Sequence, residues 1–142
     1  MSKKISLPPI LLIDDDPLVL ETLGDLCASM DCKRQVHRLD TKSAFDAAAD
    51  PEIGLIVCDY RFPNASGIAF IEQVRRRGVE TPVLFISGTP DNNAVLAAAC
   101  IPRAAFLAKP FTIDRFRNAL LELLKEPSPV ASKVHDTELA KV

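Results

Sequence analysis

Asp14, Asp15, Asp59, Ser87 and Lys109 are the residues of this chain whose types could do chemistry together. Each follows an apolar run. Residues 10–13 end in Asp14-Asp15-Asp16, and residues 53–58 drive into Asp59. Residues 82–86 end in Ser87-Gly88-Thr89, and residues 105–108 end in Lys109-Pro110. Two carboxylates about 4 Å apart repel by roughly 4 kcal/mol at an effective dielectric near 20. Three sharing one pocket need a compensating cation, and hard carboxylate oxygens with room for water suit Mg²⁺. Lys109 adds a fixed positive charge. Ser87 offers a hydroxyl beside a Gly-containing turn with backbone N–H groups to spare. Together these groups neutralise or hydrogen-bond the equatorial oxygens of a phosphoryl group. A carboxylate aimed at that space can be the nucleophile, forming an aspartyl phosphate. Asp59 is the best placed.

These residues need a scaffold that brings four strand ends to one rim. Short apolar runs bounded by turn residues read as strands buried on both faces. Residues 10–13, 53–59, 82–86 and 105–108 fit, and residues 33–39 form a more polar strand suited to a sheet edge. A helix over 17–30 starts with Asp16 as N-cap and Pro17 in its first turn. Val19, Leu23, Leu26, Cys27 and Met30 form its inner face. A helix over 41–49 stops at Asp50-Pro51. The next spans 68–77, with Ile68, Ile71 and Val74 inward and Gly78 as its cap. A fourth helix begins near residue 91 and fades by 100–102. The last covers 112–125, with Ile113, Phe116, Leu120 and Leu124 inward.

Alternating strands and helices with right-handed crossovers predict an α/β fold, a doubly wound five-stranded parallel sheet of order 2-1-3-4-5. Ligands bind outside the carboxyl ends of such strands. The first and third strands are then neighbours, which places Asp14 and Asp15 beside Asp59. One domain is expected over residues 8–126. Pro127 and Pro129 end the last helix, and the polar stretch 127–142 reads as a frayed or disordered tail.

Composition excludes several classes. The chain has 142 residues, 48% hydrophobic and 25% charged, which suits one globular domain. A net charge of −2 gives no basic excess to attract nucleic acid or an anionic membrane. Arg75-Arg76-Arg77 reads as a solvated helix C-terminus favoured by the dipole. No apolar run approaches the ~20 residues of a membrane span. Lys3-Lys4 and the apolar residues after them faintly resemble a signal peptide, but Pro8, Pro9 and the three aspartates interrupt the pattern. Cys27, Cys32, Cys58 and Cys100 follow no pairing pattern and read as reduced thiols in a cytoplasmic protein. Cys27, Cys32 and His37 fit no zinc spacing. His37 and His135 read as surface residues, so a phosphodonor histidine belongs to another protein.

Over residues 9–125 the chain resembles the response-regulator receiver family of two-component signalling, whose fold is flavodoxin-like, as in CheY-like proteins. The resemblance rests on Asp14-Asp15, on Asp59-Tyr60-Arg61-Phe62-Pro63 with Gly67, on Ser87-Gly88-Thr89, and on Phe106-Leu107-Ala108-Lys109-Pro110-Phe111. It implies that Asp59 accepts the phosphoryl group from a histidine kinase or histidine phosphotransfer protein. It implies Mg²⁺ (or Mn²⁺) on Asp15 directly, on Asp14 mostly through water, on Asp59, and on the backbone carbonyl of Arg61. Ser87 and Lys109 would hold phosphoryl oxygens, and Lys109-Pro110 resembles a bond that is cis in the family. Phe106 would be the switch aromatic, and Arg61 and Thr89 would tune phosphoryl lifetime. The implied product is a stand-alone switch that catalyses only its own phosphorylation and dephosphorylation. It would signal to a protein target through helix 4, strand 5 and helix 5. Ser87 stands where Thr is usual, and Phe106 where Tyr is frequent. Residues 100–103 lack the glycine expected before the last strand.

Two other functions fit parts of the pattern. Asp14-Asp15-Asp16 also fits the Asp-x-Asp motif of haloacid-dehalogenase-type phosphatases, in which Asp14 would be the nucleophile. Leu18 departs from that motif, and the chain has no room for a substrate cap. A pseudo-receiver acting only as a binding module would not need the complete acid, hydroxyl and lysine set.

Overall fold

The structure, a computed structural model, describes residues 6–88 and 92–125. The expectations for Lys3-Lys4, Thr89, His135 and the tail over 127–142 lie outside these residues.

The elements in order are β1 (Ile10–Ile13), α1 (Pro17–Ala28), β2 (Gln35–Arg38), α2 (Thr41–Ala48), β3 (Leu55–Asp59), β4 (Arg61–Phe62), β5 (Ala65–Ser66), α3 (Gly67–Arg76), β6 (Val83–Ser87), α4 (Asn92–Ala99), β7 (Ala104–Ala108) and α5 (Ile113–Leu124). The main sheet has five parallel strands in the order β2-β1-β3-β6-β7. This is the expected 2-1-3-4-5 once the two-residue strands β4 and β5 are set aside; those form a small antiparallel hairpin.

Side chains alternate across a strand, and the two faces of this sheet bury separate cores. Ile10, Leu12, Leu55, Val57, Leu84 and Ile86 face α1 and α5, where Leu20, Leu23, Cys27, Phe116 and Leu120 pack. Leu11, Ile13, Ile56, Cys58, Val83 and Phe85 face α2, α3 and α4, where Ala44, Ala48, Phe70, Ile71, Val74 and Ala98 pack. Covered on both faces, β1, β3 and β6 must be apolar throughout, which is the pattern their sequences carry.

The helices start where side chains take up free backbone N–H groups. Asp16 accepts from Leu18 N at 2.9 Å, Asp40 from Ser43 N at 2.7 Å, Ser66 from Ala69 N at 3.0 Å and Thr112 from Arg115 N at 3.1 Å. Each such cap stabilises its helix by about 1 kcal/mol. Gly78 follows α3 at φ +85°, the left-handed conformation that glycine adopts freely.

Several details differ from the sequence reading. α1 ends at Ala28, and the chain then turns through Asp31 at φ 60°. Leu20 and Phe70 are buried core residues. Ile113 is 49% exposed, and Leu123 is buried in its place. The inner stripe of α5 is therefore Phe116, Leu120 and Leu123, spaced i, i+4 and i+7. Ile113 occupies the first helical position, where the stripe has not yet reached the sheet. Arg75 is not a solvated residue. Its guanidinium donates to Val79 O at 3.1 Å and Pro102 O at 3.0 Å, tying the end of α3 to the turn before β7. Arg77 lies over the Phe45 ring at 4.4 Å. In that turn Arg103 takes φ 56°, the conformation for which a glycine was expected.

Candidate functional site

Parallel register aligns the strand ends. Ile13 pairs with Cys58, Asp59 with Ile86, and Ser87 with Ala108. Asp14, Asp15, Asp59, Ser87 and Lys109 are consequently brought to one rim, as their positions after the apolar runs required. Carboxylate oxygens of Asp14, Asp15 and Asp59 lie within 4.8 Å of one another.

Asp14 is 3% exposed. Its Oδ1 accepts from Asp16 N at 2.9 Å, and its Oδ2 lies 3.9 Å from Lys109 Nζ. Burial pushes its carboxyl up to about 6, opposed by the Asp16 N–H and by Lys109 and reinforced by the charges of Asp59 and Asp15. Burial also raises Asp59, which is half-buried; Lys109 and the Arg61 and Tyr60 backbone N–H groups oppose that shift, and Asp15 adds to it. Asp15 is exposed. Such mutually repelling hard oxygens, two of them reluctant to ionise, suit a small dication with room for water. The donor set therefore fits Mg²⁺ or Mn²⁺.

Asp16 has another task. Its side chain caps α1 and does not join the cluster, so Asp14 and Asp16 do not form the paired site of the phosphatase reading. Ser87 is 2% exposed and is the last residue of β6. Its backbone oxygen accepts from Lys109 N at 2.8 Å, which holds the ends of β6 and β7 together. The Lys109-Pro110 peptide is cis.

The loop after Asp59 doubles back on itself. Tyr60 N donates to Ile86 O at 2.8 Å, and Gly67 N donates to Tyr60 O at 2.7 Å. A Cβ on Gly67 would overlap the Asp59 carbonyl oxygen, so only glycine permits this closure. Arg61 is exposed, with its guanidinium 6.0 Å from the Tyr60 ring centroid. Phe106 is half-buried on the α2, α3 and α4 side of the sheet. The residue missed by sequence reading is Tyr60, whose ring stands 5.8 Å from that of Phe106. An aromatic directly after Asp59 was the available signal.

Other candidates stay apart from this rim. Burial pushes the Cys27 thiol up to about 12 and raises Cys32 as well. His37 Nε2 is 2.8 Å from Gln35 Oε1. All four cysteines are free thiols. Leu18 is 71% exposed beside a recess of about 280 Å³ that it shares with Val19, Thr22, Leu23, Lys109 and Phe111. Among the described residues, no helix is long and apolar enough to cross a membrane.

Known proteins resemble this chain in sequence and fold. Residues 10–121 match the response regulator receiver domain family. The transcriptional regulatory protein FixJ of Azorhizobium caulinodans is 34% identical over 104 residues, 72% of this chain and 48% of that protein. The response regulator protein TodT of Pseudomonas putida is 30% identical over 117 residues, 82% of this chain and 51% of that protein. The chain thus spans about half the length of these relatives. Among solved structures, the non-phosphorylated HemR receiver domain of Leptospira biflexa matches with a TM-score of 0.76 and 24% identity, covering 87% of this chain and 98% of that one. The chemotaxis protein CheY4 of Vibrio cholerae matches with a TM-score of 0.75 and 18% identity, covering 84% and 100%. At these identities the two structures bear on the fold, which is flavodoxin-like. With the family match running from the first strand into the last helix, the chain belongs to the response regulator receiver domains of two-component signalling, which are signalling modules and not classical enzymes.

Proposed function

We infer that Asp59 is the phosphoryl acceptor of a two-component pathway and that its donor is a phosphohistidine on a histidine kinase or histidine phosphotransfer protein. The observation that carries this reading is the gathering of Asp14, Asp15 and Asp59 within 4.8 Å, with Lys109 Nζ 3.9 Å from Asp14. An Asp59 carboxylate oxygen attacks phosphorus as the P–N bond of the donor breaks. The electron pair stays on the departing imidazole nitrogen, which then takes up a proton. Mg²⁺ or Mn²⁺, when bound, supplies charge neutralisation to the phosphoryl oxygens. Asp15 and Asp59 would hold it directly, Asp14 mostly through water, and Arg61 through its backbone carbonyl.

The chain's own residues do the remaining work. Lys109 and the Ser87 hydroxyl hold phosphoryl oxygens, and Gly67 lets the loop close behind the acceptor. Attack by water on phosphorus then breaks the Asp59 O–P bond, restores the carboxylate and releases inorganic phosphate, so the domain catalyses its own phosphorylation and dephosphorylation. Arg61 and Thr89 occupy the positions that set phosphoryl lifetime. Ser87 and Phe106 pass the change to a protein target on the face of α4, β7 and α5. The site of action is the cytoplasm, where the phosphodonors of this chemistry reside.

The experiment is labelling with acetyl phosphate and Mg²⁺, followed by trapping of the acyl phosphate and mapping of the modified residue. Label on Asp59 in the wild type and none in Asp59→Asn is expected. Label retained in Asp59→Asn would overturn the assignment.

A further inference from the structure

We propose that Tyr60 is a positioning residue that carries the state of Asp59 to Phe106 across the α2, α3 and α4 side of the sheet. The proposal rests on the reading of Asp59 as the phosphoryl acceptor and adds a route to the output face.

Tyr60 is held at both backbone ends. Its N–H reaches Ile86 O on β6 at 2.8 Å, and its carbonyl receives Gly67 N, the first residue of α3, at 2.7 Å. The Tyr60 and Arg61 N–H groups also bear on the Asp59 carboxyl. The side chain leaves on the opposite face from Asp59, because successive residues alternate. There its ring meets Phe85 edge-on, with centroids 6.5 Å apart and planes at 83°. It meets Phe106 at 5.8 Å and 66°. The Arg61 guanidinium lies 6.0 Å from the same ring. Phe85 and Phe106 are register partners on β6 and β7, so the one ring of Tyr60, just past the end of β3, spans two adjacent strands.

A phosphoryl group on Asp59 adds negative charge and strong acceptor oxygens directly at the backbone N–H groups of Tyr60 and Arg61. An adjustment of that peptide re-aims the Tyr60 Cα–Cβ bond and with it the ring, and the two flanking backbone hydrogen bonds keep the change local. Edge-to-face aromatic pairs hold a preferred geometry, so Phe106 must follow or lose the contact. Phe106 has no phenol of its own through which to sense the site. The Tyr60 ring supplies a contact that a hydroxyl on Phe106 would otherwise have to make.

The chain has one tyrosine and no tryptophan, so its tyrosine emission reports on Tyr60 alone. Wild type, Tyr60→Phe, Tyr60→Leu and Phe106→Leu are compared with and without beryllofluoride and Mg²⁺. The ¹⁹F spectrum of bound fluoroberyllate gives site occupancy, and the Phe106 ring resonances give the response. At equal occupancy, wild type and Tyr60→Phe should show the same Phe106 shift, and Tyr60→Leu a several-fold smaller one. A full shift in Tyr60→Leu overturns the proposal. A second arm reads Tyr60 emission in Phe106→Leu, where the response to beryllofluoride should differ several-fold from wild type. An unchanged response there overturns it as well. Failure of fluoroberyllate to bind the wild type overturns the Asp59 reading itself, which separates the two failures.

Discussion

Asp14 shows what a single residue pays in this site and how that can be measured. Its carboxyl is raised from 3.8 to about 6, first by burial. The folded state therefore binds this proton more tightly than the unfolded chain does. The associated stability is fully present below about pH 4 and is lost as pH rises through about 6. A shift of this size corresponds to roughly 2–3 kcal/mol. In buffer free of divalent cations, urea midpoints should fall between about pH 4 and about pH 6.5, and Asp14→Asn should flatten most of that fall. Equal slopes in the two proteins would remove Asp14 from the account. The raised Asp59 contributes in the same direction and should leave a residual slope in the variant. Asp14, Asp59, Ser87 and Lys109 were legible in the sequence because each ends an apolar run, a purely local signal. Tyr60 was not, because Phe85 and Phe106, which define its role, arrive from other strands.

At the scale of elements, the buried strands and the start of α1 could be read directly. Continuous apolar runs mark β1, β3 and β6, and Asp16-Pro17 marks a cap. The β4–β5 hairpin could not be read, since two-residue strands have no period to detect. The inner faces of α1, α3 and α5 were partly legible: Leu20, Phe70 and Leu123 joined the core through tertiary packing that a stripe alone does not settle. The turn before β7 yields a prediction. Arg103 holds φ 56° without the freedom of glycine. Arg103→Gly should raise stability by about 0.5–1 kcal/mol, the left-handed strain relieved less the added freedom of the unfolded chain. Chemical denaturation with an unchanged m-value is the measurement, and a loss of stability would show that the Arg103 side chain contributes more than its backbone costs.

For the whole molecule, strand order was legible because crossover handedness leaves few topologies and the acids must meet. The sequence also marks Leu18, which falls off the inner stripe of the first helix, as an apolar residue left exposed near the acids. Leu18, exposed beside the recess near Lys109, lies where an incoming phosphodonor would cover the acid rim. Leu18→Asp should slow transfer from the phosphodonor protein by about tenfold or more, as loss of an apolar anchor with added charge repulsion would. Labelling by acetyl phosphate, which needs no docking, should stay unchanged. Equal losses in both reactions would show that Leu18 supports the site and not the partner.

The two cores have a consequence for how such a domain can diversify. Leu55 and Val57 belong to the half with α1 and α5, while Ile56 and Cys58 belong to the half with α2, α3 and α4. Continued one step further, that alternation puts Asp59 and Tyr60 on opposite sides, with a single peptide plane as the frontier. A change of packing on one side therefore reaches the other through that peptide and the strand backbones the two sides share. Each side can drift in its own helix-on-sheet packing while the other keeps its fit, so the domain can change its core by halves without dismantling the rim that both halves support.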